Sequence, residues 1–230
     1  RAQVRQFRRR RLFRTRERGA VNENAARDAL ADRARSLYER GYAHGSSGNL
    51  SVRVDDGVLV TPTGSCLGRL DPARISRIAL DGRTLSADPP SKEAFLHLAV
   101  YAGQPSARAI VHLHYPCAVA VSCLVHDDPG NVLPPLTAYH VMRVGTLPLV
   151  PYYAPGDRAL AAAVGALAAS HRAVLLANHG PVVAGTSLDD AVDSAEELEQ
   201  TARLSLLLTN RATAPLSAEQ VAALDAGFPN

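Results

Sequence analysis

Two Asp-Gly pairs, Asp56-Gly57 and Asp81-Gly82, most narrowly constrain how this 230-residue chain can fold. Each sits between short apolar or alternating runs, residues 50–54 and 58–60 for the first, 75–80 and 83–85 for the second. Asp-Gly between such runs signals a β-hairpin, and hairpins make antiparallel neighbours, so the sheet cannot be purely parallel. Helical spacing alternates with these strands. Residues 22–40 place Ala26, Leu30, Ala34, Leu37 and Tyr38 on one face, with Gly41 at the expected C-cap. Ser91 is expected to cap a helix through about Ala102. Pro116 opens a short helix to Leu124, and further helices are expected over 157–170 and 188–209. Residues 109–114 and 173–177 read as buried strands. The fold class expected is α/β, and a chain of this length buries enough surface to need no disulfide staples.

The net charge of +3 hides an asymmetry. Residues 1–20 hold nine arginines and one acid, a charge of +8, so the remaining chain carries −5. A basic arm that binds nucleic acid is one reading of such a run, and a disordered extension is the other. The second is preferred, because the basicity is confined to one terminal stretch. Thr15-Arg16-Glu17-Arg18 stands where the apolar segment of a twin-arginine signal would begin, which argues against export. The organisation expected is an extension over 1–21, a catalytic domain over 22–210 and a loosely attached tail over 211–230. Cys66, Cys117 and Cys123 form no CxxC pair, and their odd number suits a reducing compartment, the cytoplasm. The longest apolar stretch, 159–169, is far below the ~18 residues of a membrane span. Neither nucleic acid nor membrane is an expected partner.

The chemistry concentrates in histidines. Side chains alternate along a strand, so His112-Leu113-His114 puts both imidazoles on one face, a spacing suited to a divalent metal. His179 follows a buried strand and precedes Gly180 at a turn, which makes it a third candidate; catalytic zinc takes about three protein ligands and keeps one position open. His44, His126 and His171 read as solvated. Ser91-Lys92-Glu93 begins a helix whose N–H groups, with the Ser91 hydroxyl, form a phosphate cradle. Glu93 alone also fits a plain complement to the helix dipole, and His97 one turn on fits packing or support for Glu93. Lys92 is the only lysine, so a Schiff-base mechanism has one possible nucleophile. Residues 126–155 hold six of the fifteen prolines, and irregular connections of that length are usually functional.

Gly48-Asn49, Thr61-Pro62-Thr63-Gly64, Ser91-Lys92-Glu93, His112-Leu113-His114 and Asn178-His179-Gly180, in that order, resemble the class II aldolase/adducin family. The resemblance runs from about residue 22 to 209. It implies a three-layer α/β/α sandwich with a mainly antiparallel central sheet. It implies a divalent metal, zinc by preference, on His112, His114 and His179, with Glu93 as acid/base carboxylate and resting-state ligand. It further implies a substrate phosphate held at Gly48, Asn49, Thr63, Gly64, Ser91 and Lys92. Family members of this kind are usually homotetramers with sites at subunit interfaces, which marks Tyr139 and His140 as candidates to reach a neighbouring copy. Adducin-type binding modules lack the metal histidines; this chain keeps them, so a catalyst is favoured.

Within the family, the stretches from Thr61 to Gly68, Leu133 to Thr137 and Pro151 to Asp157 are similar to the 3-oxo-tetronate 4-phosphate decarboxylases. That branch implies a lyase that takes a phosphorylated sugar acid to dihydroxyacetone phosphate and carbon dioxide through an enediolate. Fuculose-phosphate aldolases and ribulose-phosphate 4-epimerases share the metal site and remain alternatives.

Overall fold

Asn22 starts the first helix by local chemistry: its side-chain oxygen accepts from the N–H groups of Asn24 and Ala25, which the helix leaves unpaired. The computed structural model describes residues 22–154 and 156–228, and the extension expected at 1–21 lies outside the described residues. Helix α1 (Glu23–Glu39) is followed by β1 (Asn49–Val54), β2 (Gly57–Val60) and β3 (Ser76–Ala79). Next come α2 (Ala94–Gly103), β4 (Ala109–His112), α3 (Pro116–Ser122), α4 (Ala138–Arg143) and β5 (Leu149–Val150). The chain continues through α5 (Ala159–Ala168), β6 (Ala173–Leu176), β7 (Pro181–Gly185), α6 (Leu188–Leu207) and α7 (Ala218–Gly227).

The seven strands form one open sheet in the order β3-β2-β1-β4-β7-β6-β5. Among the described residues, only the β5–β6 pair is parallel. Alternation along the strands feeds two cores. Leu50, Leu59, Val111, Leu175 and Val183 point to the face covered by α1, α3 and α6. Val58, Val60, Ile110, Val174 and Val182 point to the other, against α2 and α5. This is the expected three-layer sandwich with a mainly antiparallel sheet.

Both Asp-Gly hairpins differ in detail from expectation. Val54 pairs with Gly57, so the first turn is Asp55-Asp56 and Gly57 is already strand. Glycine is needed there for close approach, because a Cβ would stand 2.4 Å from the Ile78 carbonyl oxygen. The second hairpin's return arm makes only an isolated bridge, Thr84 to Ile78.

Two strands and two helices escape the hydrophobic pattern. β7 is buried at every position and opens on a proline, so it shows no alternation. β5 has two residues and α4 six, both inside the proline-rich stretch expected to be irregular. The segment expected as a loosely attached tail carries a helix: Ser217 and Gln220 form a reciprocal capping box that starts α7. No α7 residue is buried, although the segment is tied down by Leu216 N–H donating to the Pro135 carbonyl at 2.9 Å. Among the described residues, no helix is long and apolar enough to cross a membrane.

Candidate active site

Strand register builds one side of the site. β1 sets Asn49 opposite His112, and β7 sets Val182 opposite the same histidine. Both partner strands run out there, so β4 ends at His112 and His114 lies two residues beyond it, rather than within a strand to 114. Gly48 has φ +80°, and a Cβ on it would stand 2.4 Å from Leu113 Cδ2 and 3.0 Å from the His112 carbonyl. Only glycine lets the chain pass that close. His179 sits in the four-residue turn between β6 and β7, closed by Leu176 N–H donating to the Gly180 carbonyl at 3.0 Å. Asn178 takes the left-handed conformation there, φ 55°, which asparagine tolerates.

Ser91 caps a turn rather than the helix itself. Its hydroxyl accepts from Glu93 N–H at 3.2 Å, and α2 begins only at Ala94. Glu93 is the N-cap residue, yet its side chain makes no capping hydrogen bond. The plain helix-dipole reading therefore loses its geometry. The carboxylate turns into the histidines.

Glu93 Oε2 lies 3.4 Å from His112 Nε2, and Oε1 lies 3.2 Å from His179 Nε2. His179 Nε2 is 3.0 Å from His114 Nε2 and 3.3 Å from His112 Nε2. One ligand atom from each of the four residues falls within 4.8 Å of all the others. His112 Nδ1 donates to the Pro181 carbonyl at 2.8 Å, which turns Nε2 inward toward the cluster. Three imidazole nitrogens and a carboxylate that converge this way fit a divalent cation. The cluster can hold a metal.

The charges follow from this crowding. Burial acts to raise the Glu93 carboxyl, but hydrogen bonds from His112, His179 and Asn49 outweigh it and hold the group well below the usual carboxylate range. Burial acts to lower His112, and its hydrogen bond with Glu93 reverses that and raises it. His114 is pushed down to about 4, first by burial and then by charge on His112 and His179. A cation entering the cluster must therefore displace a proton held between Glu93 and His112.

Beside the cluster opens a cleft of about 370 Å³. Gly48, Asn49, Thr63, Gly64, Ser91 and Lys92, the residues expected at the phosphate, all line it together with Glu93 and His114. Thr63 N–H donates to the Pro89 carbonyl at 3.1 Å and Ser91 N–H to the Thr61 carbonyl at 3.0 Å, which clamps the 61–64 loop against the 91–93 turn. Ser46, Ser47 and Gly156 also line the cleft. The serines belong to the run Gly45-Ser46-Ser47-Gly48 that leads into β1, whereas nothing in the sequence tied Gly156 to this wall. A larger cavity of about 500 Å³ lies at the other end of β4 and β7 and holds none of the expected site residues.

Tyr139 and His140 part company. Tyr139 is 64% exposed on α4 and remains free to meet a neighbouring copy. His140 is 1% exposed and turned inward beside Val141 on α4, which leaves Tyr139 as the candidate of the two to meet a neighbouring copy. Among the described residues His140 Nδ1 has no hydrogen-bond partner, and burial pushes its pKa down to about 4. His97 does not touch Glu93; its Nε2 lies 2.6 Å from Asn49 Oδ1, and the Asn49 amide donates to Glu93 Oε2 at 2.8 Å. Burial, then charge on His112, pushes His97 down to about 3.

A pH dependence of stability follows. Both imidazoles are neutral when folded and take up protons near pH 6.5 when unfolded, so their stability is present above that pH and lost as pH falls below it. From pH 7 to 5 each loses roughly 2 kcal/mol, at 1.36 kcal/mol per pH unit below the unfolded pKa. His140→Phe keeps the ring volume and should shrink the pH 7-to-5 loss by about 2 kcal/mol, read by guanidinium unfolding at both pH values. Equal losses in both proteins would show that His140 is not buried in its neutral form.

The profile of the class II aldolase and adducin N-terminal domain matches residues 28–206. The chain belongs to the class II aldolase and adducin family. Among its relatives, the 3-oxo-tetronate 4-phosphate decarboxylase of Escherichia coli strain K12 is 51% identical over 203 residues, 88% of this chain and 96% of the relative. The L-fuculose phosphate aldolase of Methanocaldococcus jannaschii is 35% identical over 173 residues, 75% of this chain and 91% of the relative. The crystal structure of YgbL from Klebsiella pneumoniae superimposes with a TM-score of 0.86 at 50% identity, covering 88% of this chain and 98% of that one.

Proposed function

We propose that this protein is a carboxy-lyase that converts a 3-oxo-tetronate 4-phosphate to dihydroxyacetone phosphate and carbon dioxide. The observation that carries the reading is the 51% identity to a decarboxylase of that name over 96% of its length, against 35% for an aldolase that shares the family. The cleft supports it: polar groups for a phosphate line it together with Glu93 and His114, and these two belong to the cluster that His112 and His179 complete.

The roles follow from position. Ser91, Thr63 and Lys92, with the backbone at Gly48 and Gly64, take the substrate phosphate. Asn49 has its oxygen and one amide hydrogen committed to His97 and Glu93, so only its second amide hydrogen is available to substrate. Holding the phosphate fixes the reacting carbons near the histidines. His112, His114 and His179, with Glu93 in the resting state, would hold a divalent cation, zinc by preference for imidazole nitrogen. Such an ion supplies Lewis acidity for the negative charge that develops on the substrate's ketone and hydroxyl oxygens.

When the carboxylate leaves as carbon dioxide, the carbon that carried it keeps the electron pair and must gain one proton. Glu93 is the residue to deliver it, relayed from water in the cleft. Tyr139 from a neighbouring copy is the second candidate proton donor. A homotetramer fits the exposed apolar side chains Val125, Tyr139, Leu204 and Leu207, and a cytoplasmic location fits the free cysteines.

The test is direct. Incubation with 3-oxo-tetronate 4-phosphates should release carbon dioxide and dihydroxyacetone phosphate in equal amounts, and EDTA should abolish both. Borohydride with substrate should trap no adduct, because Lys92, the only lysine, takes no covalent part. A trapped adduct on Lys92 would sink the metal-based reading. Cleavage of fuculose 1-phosphate without decarboxylation would move the protein to the aldolases.

A further inference from the structure

From Asn49 at the cleft wall, a run of buried polar side chains crosses the space between β1 and α2. Tyr101 Oη and Ser51 Oγ are 2.9 Å apart, Ser51 Oγ and His97 Nδ1 2.6 Å, and His97 Nε2 and Asn49 Oδ1 2.6 Å. The Asn49 amide then donates to Glu93 Oε2 at 2.8 Å. Ser51 and His97 are fully buried, Tyr101 is 1% exposed and Asn49 4%. The phosphate grip and proton transfer described above use none of Ser51, His97 or Tyr101.

The donors and acceptors in this run have one consistent order. A carboxylate only accepts, so Asn49 must offer an amide hydrogen to Glu93 and its oxygen to His97. His97 must then carry its hydrogen on Nε2. A neutral imidazole has one hydrogen, so Nδ1 accepts from the Ser51 hydroxyl, and the Ser51 oxygen accepts from Tyr101 O–H. Reversing the Asn49 amide would set its oxygen against a carboxylate oxygen and its NH2 against Nε2–H. Both contacts would be repulsive, and burial of Asn49 and His97 makes that repulsion costly.

We propose that His97 is a positioning residue for Glu93: Ser51 and Tyr101 fix it as the Nε2–H tautomer, and in that form it locks the Asn49 amide in the orientation that donates to the Glu93 carboxylate. The inference rests on the reading of Glu93 as the proton carrier. It differs from a purely structural role, in which the run merely satisfies buried polar groups and packs α2 on the sheet.

The experiment has two arms. In full-length protein labelled with ¹⁵N-histidine, the His97 ring should show the Nε2–H tautomer, and Ser51→Ala should weaken that preference. This arm needs no substrate, so it stands even if the decarboxylase assignment fails. An Nδ1–H tautomer at His97 would overturn the proposal. In the second arm, His97→Phe should lower kcat about 10–100-fold, the usual effect of losing a group that orients an active-site ligand, with KM and metal content unchanged. His97→Gln can donate to Asn49 and accept from Ser51, and should recover much of the lost kcat. Equal losses in both variants, or wild-type kcat in His97→Phe, would reduce the run to structural support. Should His97→Phe fail to fold, the tautomer and the kcat of Ser51→Ala, expected a few-fold low with KM unchanged, decide the matter.

Discussion

Glu93→Gln should lower turnover by about 10²–10⁴-fold, the usual contribution of a positioned acid or base, while phosphate binding persists. Glutamine keeps the shape, can occupy the N-cap and can still accept from the Asn49 amide, so the substitution isolates proton transfer. Were Glu93 only a complement to the helix dipole, the same change would cost roughly 0.3–1 kcal/mol of stability and spare turnover. The geometry already weighs against that outcome, since the carboxylate faces Asn49, His112 and His179 instead of the helix N–H groups. A decarboxylase makes the test sharper. Loss of carbon dioxide requires stabilised negative charge on substrate oxygens, whereas protonation at carbon requires a proton donor. The variant should therefore release carbon dioxide while dihydroxyacetone phosphate formation lags, or while solvent deuterium incorporation changes. Metal content must be measured alongside, because Glu93 belongs to the four-residue cluster. Wild-type rates of both products with metal retained would pass the role to Tyr139 of a neighbouring copy.

The parts of this fold that were legible in the sequence are those whose signal is local and periodic. The helices expected over 22–40 and 188–209 are both present, and the structure adds that Asn22 and Ser187 start them through side-chain oxygens that accept from N–H groups two or three residues on. The strands at residues 50–54 and 58–60 show themselves through the turn between them. β7 was not legible, because it lies at the centre of the sheet, buried on both faces, and presents no polar alternation. β5 and α4 are too short for a period to emerge and sit among prolines that read as irregular.

The site divides along the same line. His112 and His114 declared themselves by spacing, and His179 by its position at a turn after a buried strand. Their convergence depends on register, Asn49 opposite His112 and Val182 opposite His112, which no local pattern contains. The role of Asn49 as a bridge between His97 and Glu93 was hidden for the same reason: its partners lie 44 and 48 residues away. Burial separated Tyr139 from its neighbour His140, and burial of one residue in a six-residue helix is a tertiary fact.

Substituting any one of the three histidines should remove most bound metal and lower activity about 10²-fold or more. The Lewis acid contributes several kcal/mol of charge stabilisation, and each 1.4 kcal/mol is tenfold. The three variants should differ in what else they lose. His114 and His179 are partly exposed and lie beyond strand ends, so His114→Ala and His179→Ala should unfold close to the metal-free wild type. His112 is fully buried and donates from Nδ1 to the Pro181 carbonyl, so His112→Ala also leaves a cavity and an unpaired acceptor at the β4–β7 junction. Its added cost should be roughly 2–4 kcal/mol, from the lost packing and the orphaned carbonyl. Metal content by elemental analysis, with thermal unfolding of each variant with and without chelator, separates the two effects. The pH dependence gives an independent check. Because Glu93 raises His112, a cation must expel a proton from the pair, and affinity should climb as pH rises through and above 6.5. In Glu93→Gln the carboxylate that favours that proton is gone, so the climb should move to lower pH. Full metal occupancy in a variant would remove that histidine from the ligand set, and affinity independent of pH would show that the cluster holds no proton for the metal to displace.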